Sequence, residues 1–253
     1  MEKKHVLIVG GTSGMGADLA RDFSARRYAV SVIGRSLPGA GRRAVGADYW
    51  RADVNDKTRL TAALQAIVKK NGKLDSLLFF QRYRDKGDSW QGELGTSLTA
   101  TKNIIEHLAG SFKKTSRNSI VVAGSVAGEL IADEQSVGYH VAKAGLDQLV
   151  RYYAVKLGPG GIRVNSVCPA IVIKEESREF YRQNRALHDL YCSITPLGRM
   201  CVSKEILNVV EYLCGPKASF ITGQNLVVDG GISLQWQGSL ARRIANPRIV
   251  KDR

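Results

Sequence analysis

Two hydrophobic periods alternate along the chain. Short runs rich in Val, Ile, Leu and aromatic residues occur at 5–9, 29–33, 49–52, 76–80, 119–123, 163–167 and 225–228, with lengths typical of strands. Between them, apolar positions recur at helical spacing over 17–27, 60–69, 94–108, 137–157 and 204–213. Most of the strand runs lack polar alternation, which marks strands buried on both faces. Strands of that kind separated by helices predict an α/β fold, a doubly wound parallel sheet in three layers. No linker, repeat or low-complexity stretch divides the chain. Its 253 residues fit a single domain better than two.

The first junction carries chemistry. The run at 5–9 breaks into Gly10, Gly11, Thr12, Ser13, Gly14, Met15 and Gly16, and a helix with Leu19, Ala20 and Phe23 on its apolar side follows. Glycines after a strand let backbone approach a pyrophosphate, and the free N–H groups of the helix start favour its negative charge. In a sheet of this class ligands sit at the carboxyl ends of the strands. The glycine turn, Arg35, Asp53, Ser125 and the loop after Val167 all fall at such ends, so one crevice can hold them together.

Composition narrows the ligand class without choosing within it. The net charge is +14, from 37 Lys and Arg against 23 Asp and Glu, which suits an anionic cofactor or substrate. The basic residues lack the aromatic interleaving of a single-strand binding groove, so nucleic acid is not the expected partner. Cys168, Cys192, Cys201 and Cys214 form no C-x-x-C pair, and the four histidines show no metal-ligand spacing, so no metal is expected. A four-residue apolar run before the first glycine is too short for a signal peptide, and no segment approaches the ~20 apolar residues of a membrane span. The expectation is a soluble, cytoplasmic protein that does not contact membrane.

Tyr139 and Lys143 stand one helical turn apart, with Ser125 fourteen residues ahead of Tyr139 in Ala123-Gly124-Ser125-Val126. Residues at i and i+4 share a helix face, so phenol and ammonium converge on one point. A free tyrosine titrates near ~10, and a fixed positive charge beside a phenol favours its ionised form, which suits it to general acid or base work. Taken alone, the spacing is also common by chance.

With both motifs in place, the chain resembles the short-chain dehydrogenase/reductase family over about 6–231. Gly10, Gly14 and Gly16 match the family's glycine signature, with Val9 where threonine is usual, and Ser125, Tyr139 and Lys143 match its triad. Asp53-Val54, Ile162 to Asn165 followed by Pro169, Pro196 to Arg199, Thr222 to Gln224 and Val228 to Gly231 agree as well. The resemblance implies a Rossmann-type domain over 1–233, followed by a basic tail over 234–253. It further implies hydride transfer between a nicotinamide cofactor and a carbonyl or alcohol, with Tyr139 passing the proton, Ser125 holding the substrate oxygen, and Lys143 tuning the phenol and binding ribose. Thr12, Ser13, Met15, Ser36, Ile171 and Val172 join the glycines, Asp53, Val54, Pro169 and the triad as cofactor contacts. Assembly as a homotetramer or homodimer through the two long helices and the last strand is also implied.

Gly34 stands where NAD-preferring relatives place a carboxylate, and Arg35 offers a fork of donors to a 2′-phosphate, so NADP is expected over NAD. Ser13 lacks the second basic group that some NADP-preferring relatives place in the turn. Elsewhere the pattern departs from the family. Phe79-Phe80-Gln81-Arg82 replaces Asn-Asn-Ala-Gly, which puts Gln81 and Arg82 beside the cofactor as either crowding or new contacts. Ser97 replaces the asparagine that serves as a fourth catalytic residue through its main-chain carbonyl, and Ala170 and Lys174 replace a glycine and a threonine.

Two readings follow from these departures. In one, Arg82, Arg84 and Lys174 adapt a working reductase to a small polar substrate, acidic or phosphorylated. In the other, the chain is a degenerate relative that binds nucleotide as a regulatory or structural subunit. The intact triad favours the first. Residues 171–195 correspond to the family's mobile lid and are polar and helical. The tail past Gly231, basic at Arg242, Arg243, Arg248, Lys251 and Arg253, either orders against a neighbouring subunit or stays disordered.

Overall fold

The structure, a computed structural model, describes residues 3–85, 87, 89–115 and 118–245. Its centre is a seven-stranded sheet, parallel throughout, made of β1 (His5–Val9), β2 (Ala29–Gly34), β3 (Ala47–Arg51), β4 (Ser76–Phe79), β5 (Asn118–Ala123), β6 (Ile162–Pro169) and β9 (Asn225–Val228). The strand order is β3-β2-β1-β4-β5-β6-β9. Helices cover both faces, as the unbroken apolar strands require: all five residues of β1 and all eight of β6 are buried. One core, around Leu7, Leu77, Ile104, Ile120 and Val164, lies under α2 (Lys57–Asn71), α4 (Ala100–Leu108) and α5 (Val137–Leu157). The other, around Ile8, Leu19, Phe23, Leu78 and Val210, lies under α1 (Gly14–Ala25) and α8 (Ser203–Cys214). The order in which strands are added reverses at β1, with β2 and β3 on one side and β4 onward on the other, and the crevice opens at the carboxyl ends of β1 and β4.

The helix predicted over 94–108 is interrupted. A short α3 (Ser89–Glu93) passes into a π-turn at Leu94–Thr99 before α4 begins. Gly95 and three hydroxyl residues weaken the helical ladder here, and side chains enter it. Thr101 Oγ1 donates to the Ser97 carbonyl at 2.6 Å, and Asn55 Nδ2 donates to Thr96 Oγ1 at 3.1 Å. Such bulges concentrate at functional sites.

The polar stretch after β6 forms a short β7 (Val172–Ile173), then α6 (Glu175–Gln183) and α7 (Arg185–Ile194). β7 pairs with β8 (Cys201–Val202), a two-residue strand that the hydrophobic pattern is too short to reveal. Beyond Gly231 a helix α9 (Gln237–Ala245) lies on this same chain's α7. Gln235 Nε2 donates to the Ile194 carbonyl at 2.6 Å, and Arg243 donates to the Ser193 carbonyl. Arg248, Lys251 and Arg253 lie outside the described residues.

At the opposite end of the sheet His5 is wholly buried. Its ring nitrogens meet the Gly72 carbonyl and Ser31 Oγ, each at 2.9 Å, and its N–H donates to Asp75. Burial pulls its pKa below the ordinary 6.5, against the pull of Asp75 and of the Gly72 carbonyl. Unfolded protein therefore takes up this proton first as pH falls. The stabilisation is complete above about 6.5 and is lost as pH drops through the lower, folded value. Thermal melts of wild type and His5→Gln between pH 7.5 and pH 5, as in any such series, should show the wild-type midpoint falling more steeply below pH 6.5; parallel curves would acquit His5.

Candidate active site

The glycine turn is shaped for close approach. Gly10 has φ +80°, and a Cβ there would lie 2.3 Å from the backbone nitrogen of Gln81; one at Gly16 would lie 2.3 Å from the Gly10 carbonyl oxygen. Ser13 starts α1 without a side-chain capping bond, and the first turn carries no acidic residue. The N–H groups of that turn are thus left for an external anion. A carboxylate lies close to this turn: Glu176 of α6 brings Oε1 to 3.2 Å from where a Gly14 Cβ would stand, and Arg84 reaches the same oxygen at 3.4 Å. Gln81 Oε1 is buried beside the turn with no hydrogen-bond donor. Free helix N–H groups, glycines that a Cβ would obstruct and an orphan acceptor together fit a dinucleotide.

Tyr139 and Lys143 face the same cavity, of about 930 Å³, which is within the range of small-molecule sites. Ser136 caps α5 by accepting from the Tyr139 N–H at 3.2 Å, which puts Tyr139 in the first turn. The Lys143 ammonium lies 5.5 Å from the Tyr139 ring centroid and donates to the Ala123 carbonyl at 2.7 Å. Burial lowers the Lys143 pKa to about 8, opposed first by the charge of Glu93. Ser125 Oγ accepts from the Ala127 N–H at 3.1 Å, so its own proton remains available to an oxygen in the cavity.

Gly10, Thr12, Ser13, Gly14, Met15 and Gly16 line one end of this cavity with Arg35, Ser36 and Val54. Pro169, Ile171, Val172 and Lys174 line its lid side, and Gln81 and Arg82 the wall between. The long side chains at Gln81 and Arg82 do not fill it. Gln81 turns back to donate to Thr101 Oγ1 at 2.8 Å, and Arg82 lays its guanidinium 5.2 Å from the Tyr139 centroid while donating to Gln135 at 2.9 Å. Arg82 and Lys143 therefore bracket the phenol with two positive charges.

Two expected positions lie outside the wall. Asp53 accepts from the Asn55 N–H at 2.9 Å to close a turn, leaving Ala52 and Val54 on the cavity. Ser97 is buried behind the wall with its carbonyl held by Thr101 and its hydroxyl donating to Glu93 at 3.0 Å, so Thr96 fronts the cavity instead. The sequence reading missed Thr96, Glu134 and Gln135 on the cavity wall, and the acidic neighbours Glu176 at the glycine turn, Glu93 behind Ser97, and Asp85, which pairs with Arg35. Asp85 and Glu176 come from segments distant in sequence from the groups they meet, whereas Glu93 stands one turn before Ser97 and is marked only by its burial.

Comparisons with known proteins agree with this fold. A family model described as enoyl-(acyl carrier protein) reductase matches residues 9–233. Short-chain dehydrogenase reductase 3c of Arabidopsis thaliana is 30% identical, over 92% of this chain and 96% of its own. A 3-alpha-(or 20-beta)-hydroxysteroid dehydrogenase of Mycobacterium tuberculosis is 32% identical, over 90% and 88%. Among solved structures, ElxO with NADP bound superposes with a TM-score of 0.80 at 25% identity, over 92% of this chain and 100% of that one. A glycine-rich turn at the switch point of a parallel sheet, a Ser-Tyr-Lys set on its crevice and this match over nearly the whole chain make the protein a member of the short-chain dehydrogenase/reductase family, oxidoreductases that bind NAD or NADP.

Proposed function

We propose that the protein is an NADP(H)-dependent reductase or dehydrogenase acting on a small polar carbonyl or secondary alcohol, with Tyr139 as general acid and base. The observation that carries this reading is the phenol of Tyr139, half-buried on the cavity wall between the charges of Lys143 and Arg82, with the Ser125 hydroxyl on the same cavity. In the reducing direction the Tyr139 O–H gives its proton to the substrate oxygen while Ser125 donates a hydrogen bond to that oxygen. Lys143 offsets the negative charge that develops on the phenol. The nicotinamide group, when bound, supplies or accepts the hydride. The glycine turn would hold the diphosphate of the cofactor and Arg35 its 2′-phosphate.

Arg82 and Lys174 on the cavity favour a substrate with an anionic group. The hydroxysteroid named for the mycobacterial relative suits these charged walls poorly. The four cysteines are free, in keeping with a reducing, cytoplasmic setting. No helix among the described residues is long and apolar enough to cross a membrane. Val137, Val141, Tyr152 and Val155 are exposed on α5, and Val227 on the edge strand β9; these surfaces support a homo-oligomer. A spectrophotometric screen of NADPH consumption should find turnover among polar aldehydes, keto acids and phosphorylated ketoses, and little among steroids. A protein that binds NADPH but turns over no member of such a panel would favour the regulatory or structural reading.

A further inference from the structure

One wall of the Tyr139 cavity is a loop. Leu130, Ile131, Ala132, Glu134 and Gln135 line it, between the short helical turn after β5 and the start of α5. Its entry is fixed by the Leu130 N–H, which donates to the Val126 carbonyl at 2.8 Å, and its exit by the Ser136 cap of α5. The middle is held from α5 itself. The Ala132 N–H donates to His140 Nε2 at 2.9 Å, and His140 Nδ1 meets the Ser136 carbonyl at 2.9 Å. A backbone N–H only donates and a carbonyl only accepts, so these partners select the neutral ring with its proton on Nδ1. A half-buried histidine with both nitrogens engaged on one loop acts as a clamp on it.

The clamp reaches the phenol through two further bonds. The Gln135 N–H donates to the Ala132 carbonyl at 2.9 Å, which closes a turn on the residue that His140 holds. Gln135 Oε1 in turn accepts from Arg82 at 2.9 Å, and the Arg82 guanidinium lies 5.2 Å from the Tyr139 ring centroid. Arg82 stands on the loop after β4, and a side chain with so many rotamers needs a partner to keep one orientation. Gln135 is that partner. Glu134 of the same turn is exposed and carries the opposite charge, so the seating of this turn decides which charge a substrate meets.

We propose that His140 is a positioning residue for substrate selection: its neutral ring seats the 130–135 wall and, through Gln135, holds Arg82 beside Tyr139 to receive an anionic group next to the reacting carbonyl. This rests on the reading of Tyr139 as the proton donor and of Arg82 as the partner of a charged substrate. A guanidinium this close to the phenol favours a carboxylate carried near the carbonyl, as in a 2-oxo or 3-oxo acid, over one at the far end of a long chain.

Hydrogen–deuterium exchange reads the clamp without turnover. His140→Phe removes the acceptor of the Ala132 N–H and should speed exchange of the peptide covering 129–136 by ~2–10-fold, the effect of one net hydrogen bond. His140→Gln, which offers an acceptor at similar reach, should recover most of the protection. If His140→Phe does not fold, His140→Asn, which serves Ser136 but is too short for Ala132, takes its place. Unchanged exchange in the folded variant, or exchange in His140→Gln as fast as in His140→Phe, would overturn the proposal. With an oxo acid found in the NADPH screen, His140→Phe should raise KM by ~2–10-fold and leave kcat within about twofold, while a neutral ketone shows neither change. Gln135→Ala should raise KM by a similar factor, and the double variant should add nothing, because both residues act on one path. A loss of kcat at constant KM, or additive effects in the double variant, would overturn the assignment. Failure to turn over any substrate would count against the reductase reading, and the exchange result would still decide the clamp.

Discussion

Tyr139→Phe should lower kcat by ~10²–10⁴-fold while changing NADPH affinity by less than about threefold, a range set by what one positioned proton donor contributes. The ring stays where it is, because what holds it does not involve the hydroxyl. Ser136 caps the helix through the residue-139 N–H, Arg82 lies 5.2 Å from the centroid and Lys143 5.5 Å. Phenylalanine offers these cations a comparable π face. The variant therefore removes the transferable proton and little else, and a lost rate with retained binding is the signature of an interaction made only in the transition state. Steady-state kinetics with NADPH fluorescence titration measures both sides. Turnover that survives the substitution would remove Tyr139 from the proton path and with it the proposed mechanism.

Arg35→Ala should weaken NADPH binding by ~10–100-fold and leave NADH binding within about threefold, since a charge-assisted hydrogen-bonded contact contributes ~1.5–3 kcal/mol. The complication is Asp85, which pairs with Arg35 from the loop after β4 and would repel a 2′-phosphate. Magnitudes decide between the two partners. Both side chains of that pair are about half exposed, at 46% and 53%, and exposed ion pairs contribute only ~0–1 kcal/mol. A phosphate with two charges should displace Asp85 from the guanidinium. Asp85→Asn is accordingly expected to tighten NADPH binding by up to about fivefold, with no gain for NADH. The opposite pattern, in which NADH binds as tightly as NADPH and Asp85→Asn weakens it, would make Asp85 the partner of a ribose hydroxyl and reverse the cofactor assignment.

The lid adds a second competitor of the same kind. Glu176 lies close to the glycine turn, where a diphosphate would place its negative charge, with Arg84 beside it. A diphosphate bound at this turn would be repelled by the Glu176 carboxylate, whose charge Arg84 partly offsets.

Local pattern was enough for most of the fold. Continuous Val, Leu and Ile predict buried parallel strands, and the runs at 5–9 and 225–228 coincide with β1 and β9. The long helix at 137–157 agrees to the residue with α5, since Ser136 supplies its cap and its apolar period is uninterrupted. The helix over 94–108 is broken partly by its own Gly95 and hydroxyl residues and partly by groups its own pattern does not show, Gln81 and Asn55, brought there by other strands' loops.

The site divides in the same way. The glycines and the Tyr139–Lys143 spacing are short-range constraints of backbone shape and helix periodicity, so the sequence alone located them and placed Ser125 at the end of a neighbouring strand. Which acids answer the site's cations was decided only by tertiary structure. Asp85 reaches Arg35 across 50 residues and Glu176 reaches Arg84 across 92. Glycines at 138 and 145 let Ser89, Trp90 and Leu98 close on α5 and bury Glu93 nearby. Coulomb interactions depend on distance through space and on burial, neither of which a linear pattern encodes. The chain by itself thus determined the fold and pointed to the candidate site residues, while the folded molecule determined the charges that surround them.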